Sequence, residues 1–510
     1  MRRFILVFAA VLFCTTTVFS QLLSWQYTGP LNETRWLANL ALLPNGTVLA
    51  TGGQNQNVQA LASCEIYNPS TGTWTETAPM SIPRQTHTIT NLPDGRIVVT
   101  GGQINGDYDS PLETNSIEIF DPATNTWSDG GTMKTARQSH TATLLDDSTI
   151  LITGGYNAQG EVTTDSSGAY IQTNYFLSSC EIYNPYTRTS VYVAPMHLGR
   201  HDHSAALLNT GEVLVEGGRI GGSDGTYLNE AEIYNPVNNT WRVIAPMAQA
   251  RTIGCLTTFS DGTVLASGGR NSPNSCAPGS EILNPATETW SNTDPMKQPV
   301  HWPANVLLPF NNFITMGGLT DADFISSNNI VGTATCEWYD RFDEAWYYAP
   351  KMNQARCKHG AVYLHQENNL SLPFDLIMVA GGLTGDQTYT SSCEVLDVGA
   401  NALASYKANL NSQQPLGIPQ SLDKAAPVSL TVLGNSGSTP VALFSLDKNE
   451  FARLEVINSS GIVVSEYANQ TYSQGVHSQS LDISNLPTGA YFVRLIAPSG
   501  SAFGKLLVVK

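Results

Sequence analysis

A double glycine closes a short apolar run seven times along the chain, opened by Gly52, Gly101, Gly154, Gly217, Gly268, Gly317 and Gly381. After a variable stretch, each pair is followed by Glu and then Ile, Val or Trp, at Glu65, Glu118, Glu181, Glu232, Glu281, Glu337 and Glu394. An aromatic residue or Leu stands two positions past that Glu, and Trp usually lies seven further on. Self-similarity at a period of about fifty residues denotes an array of supersecondary units, and four strands per unit denote a propeller.

The second unit shows the grammar. Thr86 to Leu92 is β-prone, Pro93-Asp94-Gly95 makes a tight turn, and Ile97-Val98-Val99-Thr100 makes a buried strand running into Gly101-Gly102. A loop from Gln103 to Asn115 leads to a third strand, Ile117 to Asp121. Trp127 opens the outer one. Such a blade is apolar on both faces and must pack against others around an axis, with each Trp or Tyr supplying roughly 150–250 Å². The Trp series is Trp74, Trp127, Trp241, Trp290 and Trp346, with Ser190 taking the place in the third unit. The seventh unit lacks its Trp, but Trp25 to Leu31, ahead of Arg35, fits the pattern of Trp74 to Met80 ahead of Arg84. The N-terminal strand is therefore expected to complete the last blade and close the ring.

The double glycine, the downstream Tyr and Trp at fixed separation and the Arg before the first strand resemble the Kelch-repeat family. The resemblance implies an all-β, seven-bladed Kelch-type propeller, a fold used for binding proteins or glycans and sometimes for catalysis. The expected organisation is a signal peptide over residues 1–20, the propeller over 21–398, a linker over 399–425 and a β-sandwich over 426–510. The sandwich is read from short alternating strands with Gly and Pro punctuation. Its stretch Ile483 to Leu495 and the Lys-ended strand Lys505 to Lys510 resemble the C-terminal sorting domain of proteins exported by the type IX secretion system of Bacteroidetes-like bacteria. The Asn-Pro common near the start of that domain is absent around Asn435. The resemblance implies the secretion machinery as a partner, with delivery outside the cell or to its surface.

The ends and the charge agree with export. Arg2 and Arg3 precede the apolar run Phe4 to Phe13, which is too short to span a bilayer and reads as a secretory signal. No later segment reads as a transmembrane span. The net charge of −17, with no basic run, argues against nucleic acid. Cys64, Cys180, Cys336 and Cys393 precede the repeated Glu and are read as buried thiols, whereas Cys255, Cys276 and Cys357 leave room for one bridge.

Antiparallel pairing puts the Arg series, the glycines and the Glu series on one rim. Arg35, Arg84, Arg137, Arg200, Arg251 and Arg356 recur with the unit, which favours structural Arg–Glu pairs, while a ring of Arg also suits an acidic ligand. His87, His140, His203 and His359 repeat likewise and are expected to satisfy buried backbone groups. Strand alternation would put His201 and His203 on one face, too few ligands for zinc. Asp107-Tyr108-Asp109 and Asp321-Ala322-Asp323 do not continue into a calcium loop.

Recognition is expected where units disagree: Trp36 beside Arg35, Val300-His301-Trp302 in the sixth unit, and the long third-unit loop with Asp165, Tyr170, Tyr175 and Phe176. The candidate ligand-binding set is thus Arg35, Trp36, Arg84, Arg137, Tyr170, Tyr175, Arg200, His201, His301 and Trp302, with no metal or cofactor expected. A glycan- or protein-binding role is favoured over catalysis. The enzyme alternatives are a copper-oxidase-like or a mutarotase-like activity on sugars. A structural surface component is the third reading.

Overall fold

The computed structural model describes residues 23–107, 111–164, 170–221, 225–308, 311–321, 332–341, 343–365, 375–384, 388–398, 428–433, 441–446, 448–458, 463–487, 489–498 and 500–508. Among them, seven four-stranded antiparallel sheets follow one another in the first 398 residues. The first blade runs Asn39–Leu42, Val48–Thr51, Cys64–Asn68, Thr73–Thr77, from the inner strand outwards. The second strand of every blade carries the apolar run before the double glycine. In blades one to five all four of its residues are buried, as in Val48–Thr51 and Ile97–Thr100. Such a strand is covered on both faces, which is why its sequence does not alternate.

Closure is by the N-terminal strand. Gln26–Thr28 lies antiparallel to Cys393–Asp397, with Gln26 opposite Val395 and Thr28 opposite Cys393. Trp25 is 2% exposed, and its indole N–H donates to the carbonyl of Pro350 at 2.9 Å. Trp127 and Trp241 do the same to Ala78 and Ala194 of their preceding blades, at 3.0 and 2.8 Å. Trp25 thus does for blade seven what Trp127 and Trp241 do for blades two and four. Leu31 completes the correspondence: it lies by Gly381, where Met80 lies by Gly52 and Met133 by Gly101.

The blade seams have an ionic core. Each repeated Glu accepts two backbone N–H groups from the linker that arrives from the preceding blade. Glu118 takes Ser81 N at 2.7 Å and Ile82 N at 3.2 Å. Glu394 takes Asn353 N and Gln354 N at 2.6 and 3.1 Å. The Arg of the unit binds the same carboxylate, as Arg84 Nη2 does Glu118 at 2.8 Å, while its Nη1 donates to the carbonyls of Gly101 and Ser116. The double glycine is required here. At Gly101, with φ of 59°, a Cβ would lie 2.5 Å from the carbonyl oxygen of Arg137.

All seven cysteines of the described residues are free and buried, so the bridge allowed for among Cys255, Cys276 and Cys357 is not formed. The C-terminal segment forms a three-stranded sheet, Val428–Leu433, Val441–Leu446 and Gly475–Ser480, and a four-stranded one containing Glu450–Asn458 and Gly489–Ala497. Phe444 and Leu446 of the first share a core with Leu454, Val456, Val493 and Leu495 of the second, as in a sandwich.

Replacing Trp25 by Ala is expected to destabilise the ring by about 3–5 kcal/mol, the range for a buried aromatic. Chemical denaturation followed by far-UV circular dichroism measures it, and a loss no larger than that of Gln26→Ala, an exposed neighbour, would refute the clasp.

Candidate functional site

The arginines are seam elements. Arg35, Arg84, Arg137 and Arg200 have no exposed surface, and each is bound to its Glu at 2.7 to 3.0 Å. Burial of the ion pair leaves these guanidinium groups no surface with which to meet a ligand. The repeated histidines are also internal, and three of the four bind hydroxyls rather than backbone, while neither ring nitrogen of buried His359 has a hydrogen-bond partner among the described residues. Nε2 of His87, His140 and His203 lies at 3.0, 2.9 and 3.1 Å from Thr51, Thr100 and Thr153 of the preceding blade. Burial pushes His87 down to about 3, and the nearby Arg84 adds to that, so the imidazole is neutral.

The residue two past each Arg position has another role. Leu37, Thr86, Ser139, Asp202, Ile253, Trp302 and Lys358 all have φ between 50° and 56°. This is left-handed backbone, costly for residues with a Cβ and more so for β-branched Thr and Ile. The strain is held by a girdle of backbone hydrogen bonds around the axis. Ser139 N donates to Thr86 O, Asp202 to Ser139, Ile253 to Asp202, Trp302 to Ile253, Lys358 to Trp302 and Leu37 to Lys358, at 2.9 to 3.3 Å. All seven girdle residues line an axial cavity of about 340 Å³, at the small end of ligand sites.

Above the girdle, seven antiparallel bridges join the residue after each Arg position to the one after each double glycine. Their identities divide the mouth into three arcs. Blades one to three supply amides: Gln54, Gln85, Gln103 and Gln138. Blades four and five supply cations: His201 is bridged to Arg219 and Thr252 to Arg270. Blades six and seven supply Leu319, Cys357 and Leu383, buried in one cluster against which Trp36, Trp302 and Tyr389 pack.

Lys358 stands where the arcs meet. Its Nζ lies 3.4 Å from the centroid of the Trp302 ring and 4.1 Å from that of Trp36. Loss of hydration lowers its pKa to about 8. Cys357 and Asp202 oppose the shift, and Arg219 adds to it. Arg219 is 3.4 Å from Asp202, and Arg270 lies over the Tyr227 ring.

Of the ten residues singled out from sequence, Trp36 and Trp302 come together on Lys358. His301, fully buried, lies against Trp302 at 5.0 Å and places Nδ1 3.5 Å from Cys276 Sγ. His201 packs on Phe176 at 5.1 Å and sits 3.3 Å from Asp202. It does not share a face with His203, because left-handed Asp202 breaks the strand alternation between them. Tyr175 is exposed on a two-stranded ribbon, Tyr156–Thr164 with Tyr170–Phe176. The side chain of Tyr170 lies outside the described residues, as do Tyr108, Asp109, Asp165 and Asp323. Sequence reasoning missed Lys358, Arg219 and Arg270. The signal was available, since each departs from its counterparts at a fixed repeat position, but Lys358 lies two past an Arg that was itself the focus.

The Kelch motif family matches residues 41–81, 92–134 and 202–248. A secretion system C-terminal sorting domain matches residues 441–510. The chain is a Kelch-repeat protein with a type IX sorting domain. Its Kelch units are similar to those of Kelch-like protein 34 of Homo sapiens, 26% identical over 241 residues, 44% of this chain and 32% of that protein. Kelch-like protein 23 of Homo sapiens is 28% identical over 301 residues, 58% of this chain and 46% of the other. The Kelch chain therefore spans less than half the length of these curated relatives. A fungal alcohol oxidase of the AA5 family, solved in complex with copper, has the same fold, with a TM-score of 0.55 over 96% of this chain and all of the other at 14% identity.

Blade six lacks the seam arginine, having Val300 in its place, and burial pushes Glu337 up to about 7. Glu216, fully buried, is raised to about 7 for the same reason. Both groups titrate near 4.5 when unfolded, so between about 4.5 and 7 the folded Kelch chain holds more protons and its stability falls as pH rises. Glu337→Gln is expected to remove part of that slope in denaturant titrations from pH 5 to 7. An unchanged slope would show that Glu337 titrates normally.

Proposed function

We propose that this protein is a secreted or cell-surface binding protein whose axial mouth grips a carboxylate-bearing glycan. Residues Met1 to Ser20 serve as the secretory signal, and the sorting domain then addresses the chain to the type IX machinery. The coarse part of this reading rests on the Kelch motifs and the sorting domain.

The observation that carries the ligand class is the meeting of Lys358, Arg219 and Arg270 beside two indoles, in a chain whose net charge is −17. Loss of hydration lowers both Lys358 and Arg270, and repulsion from Arg219 lowers each further. Asp202 offers a single negative charge near them. A carboxylate entering the mouth relieves that repulsion and gains charge-assisted hydrogen bonds. Trp302 and Trp36, both part-exposed, offer apolar faces on which a sugar ring can stack. The left-handed girdle fixes the wall beneath, so little ordering is needed on binding. The likeness to the copper-containing oxidase extends to the fold alone and adds no catalytic residue.

Isothermal titration with oligogalacturonate against neutral cello-oligosaccharide tests the reading. The acidic ligand should bind and weaken with added salt. Arg219→Ala combined with Arg270→Ala should cost at least about tenfold in affinity, the scale of one charge-assisted bond. Equal affinity for the neutral sugar, or no loss in the double variant, would overturn it.

A further inference from the structure

Lys358 is not placed as a simple anion-binding cation. Among the described residues no carboxylate lies within ion-pair distance of its Nζ, whereas the other mouth cation with a named charge partner, Arg219, touches Asp202. Instead its Nζ is clamped between two indoles at 3.4 and 4.1 Å, and the residue also lines the axial cavity. The backbone at Lys358 is fixed in the left-handed region by its hydrogen bond to Trp302 and by the one it receives from Leu37. An amine held in an apolar slot beside another cation has both features that turn lysine into a nucleophile. The indole faces favour the ammonium, while dehydration and Arg219 favour the free amine.

We propose that Lys358 captures the carbonyl carbon of a small keto or aldehydo acid as a reversible imine. The proposal rests on the acidic-ligand reading of the same mouth and adds a covalent step to it. The carboxylate of the ligand is held by Arg219 and Arg270, which sets the adjacent carbonyl toward the slot between the indoles. The neutral amine attacks the carbonyl carbon, forming a C–N bond as the C=O π pair becomes an alkoxide that takes up a proton. The resulting carbinolamine loses hydroxide, which takes up a further proton to leave as water, and nitrogen loses its protons to channel water until a C=N bond remains. The net change is amine plus carbonyl giving imine plus water, with no oxidant or reductant. Hydrolysis reverses it, so the mouth can hold a reducing sugar acid in its open-chain form or an α-keto acid and release it unchanged.

The test is glyoxylate with cyanoborohydride on the full chain at pH 7, followed by peptide mapping. Lys351 is exposed and seven residues away, so it serves as the internal control for surface amines. Lys358 should be reduced to its carboxymethyl form at least about tenfold faster than Lys351, since its amine is held in the dehydrated slot between the indoles. Lys358→Arg, which keeps a cation in the slot but removes the nucleophilic amine, should lose the fast label. A Lys358 labelled no faster than Lys351 would overturn the proposal, and intact oligogalacturonate binding in that case would leave the acidic-ligand reading standing. If both label and binding are absent, the reading beneath it fails as well.

Discussion

The carboxylate that each blade offers to the chain entering from its neighbour holds this disc together. Seven times, one buried Glu receives two backbone N–H groups that would otherwise be unsatisfied at a β-linker. In six of the seven units a buried guanidinium balances the charge. Removing one partner of such a pair leaves an uncompensated buried charge, typically a loss of 3–5 kcal/mol. The seams are therefore specified as much by polar geometry as by apolar area, and the glycine pairs follow from the close approach of the next blade's backbone, which Gly317 meets although blade six has no seam arginine.

The same seams create the strain at the axis. With each linker pinned by Glu, and in six units by Arg as well, the two residues after the Arg position must turn into the inner strand within one step. The turn is made in left-handed backbone whatever the side chain, including Ile253 and Trp302. The cost of about 1–2 kcal/mol per residue is offset by six hydrogen bonds running from blade to blade, from Thr86 round to Leu37. The last of them depends on Leu37 reaching Lys358, which depends in turn on the N-terminal strand sealing blade seven. The chemistry of the mouth therefore rests on a contact between residues more than three hundred positions apart.

A rigid girdle whose backbone is indifferent to side chain is a scaffold on which side chains can vary freely. Repeat positions that are uniform, such as Arg84 and Glu118, are buried in seams. Repeat positions that vary, such as Leu37, Thr86, Asp202 and Lys358, face the axial cavity. Uniform residues reach the cavity as well, as His87, His140, His203 and His359 do, while the bridge positions vary into amide, cationic and aromatic arcs.

Sequence alone determined the blade grammar, the number of units, the closing strand and the pairing of Arg with Glu, because each rests on local spacing that recurs from unit to unit. It also brought Trp36 and Trp302 forward, since a residue out of step with its repeat is visible in a linear chain. Tertiary structure decided what those residues meet. The clamp on Lys358 joins side chains from the first, sixth and seventh units, and the separation of His201 from His203 depends on one left-handed residue between them. Local spacing cannot encode either, because the circular closure that sets distances across the axis is a property of the whole ring.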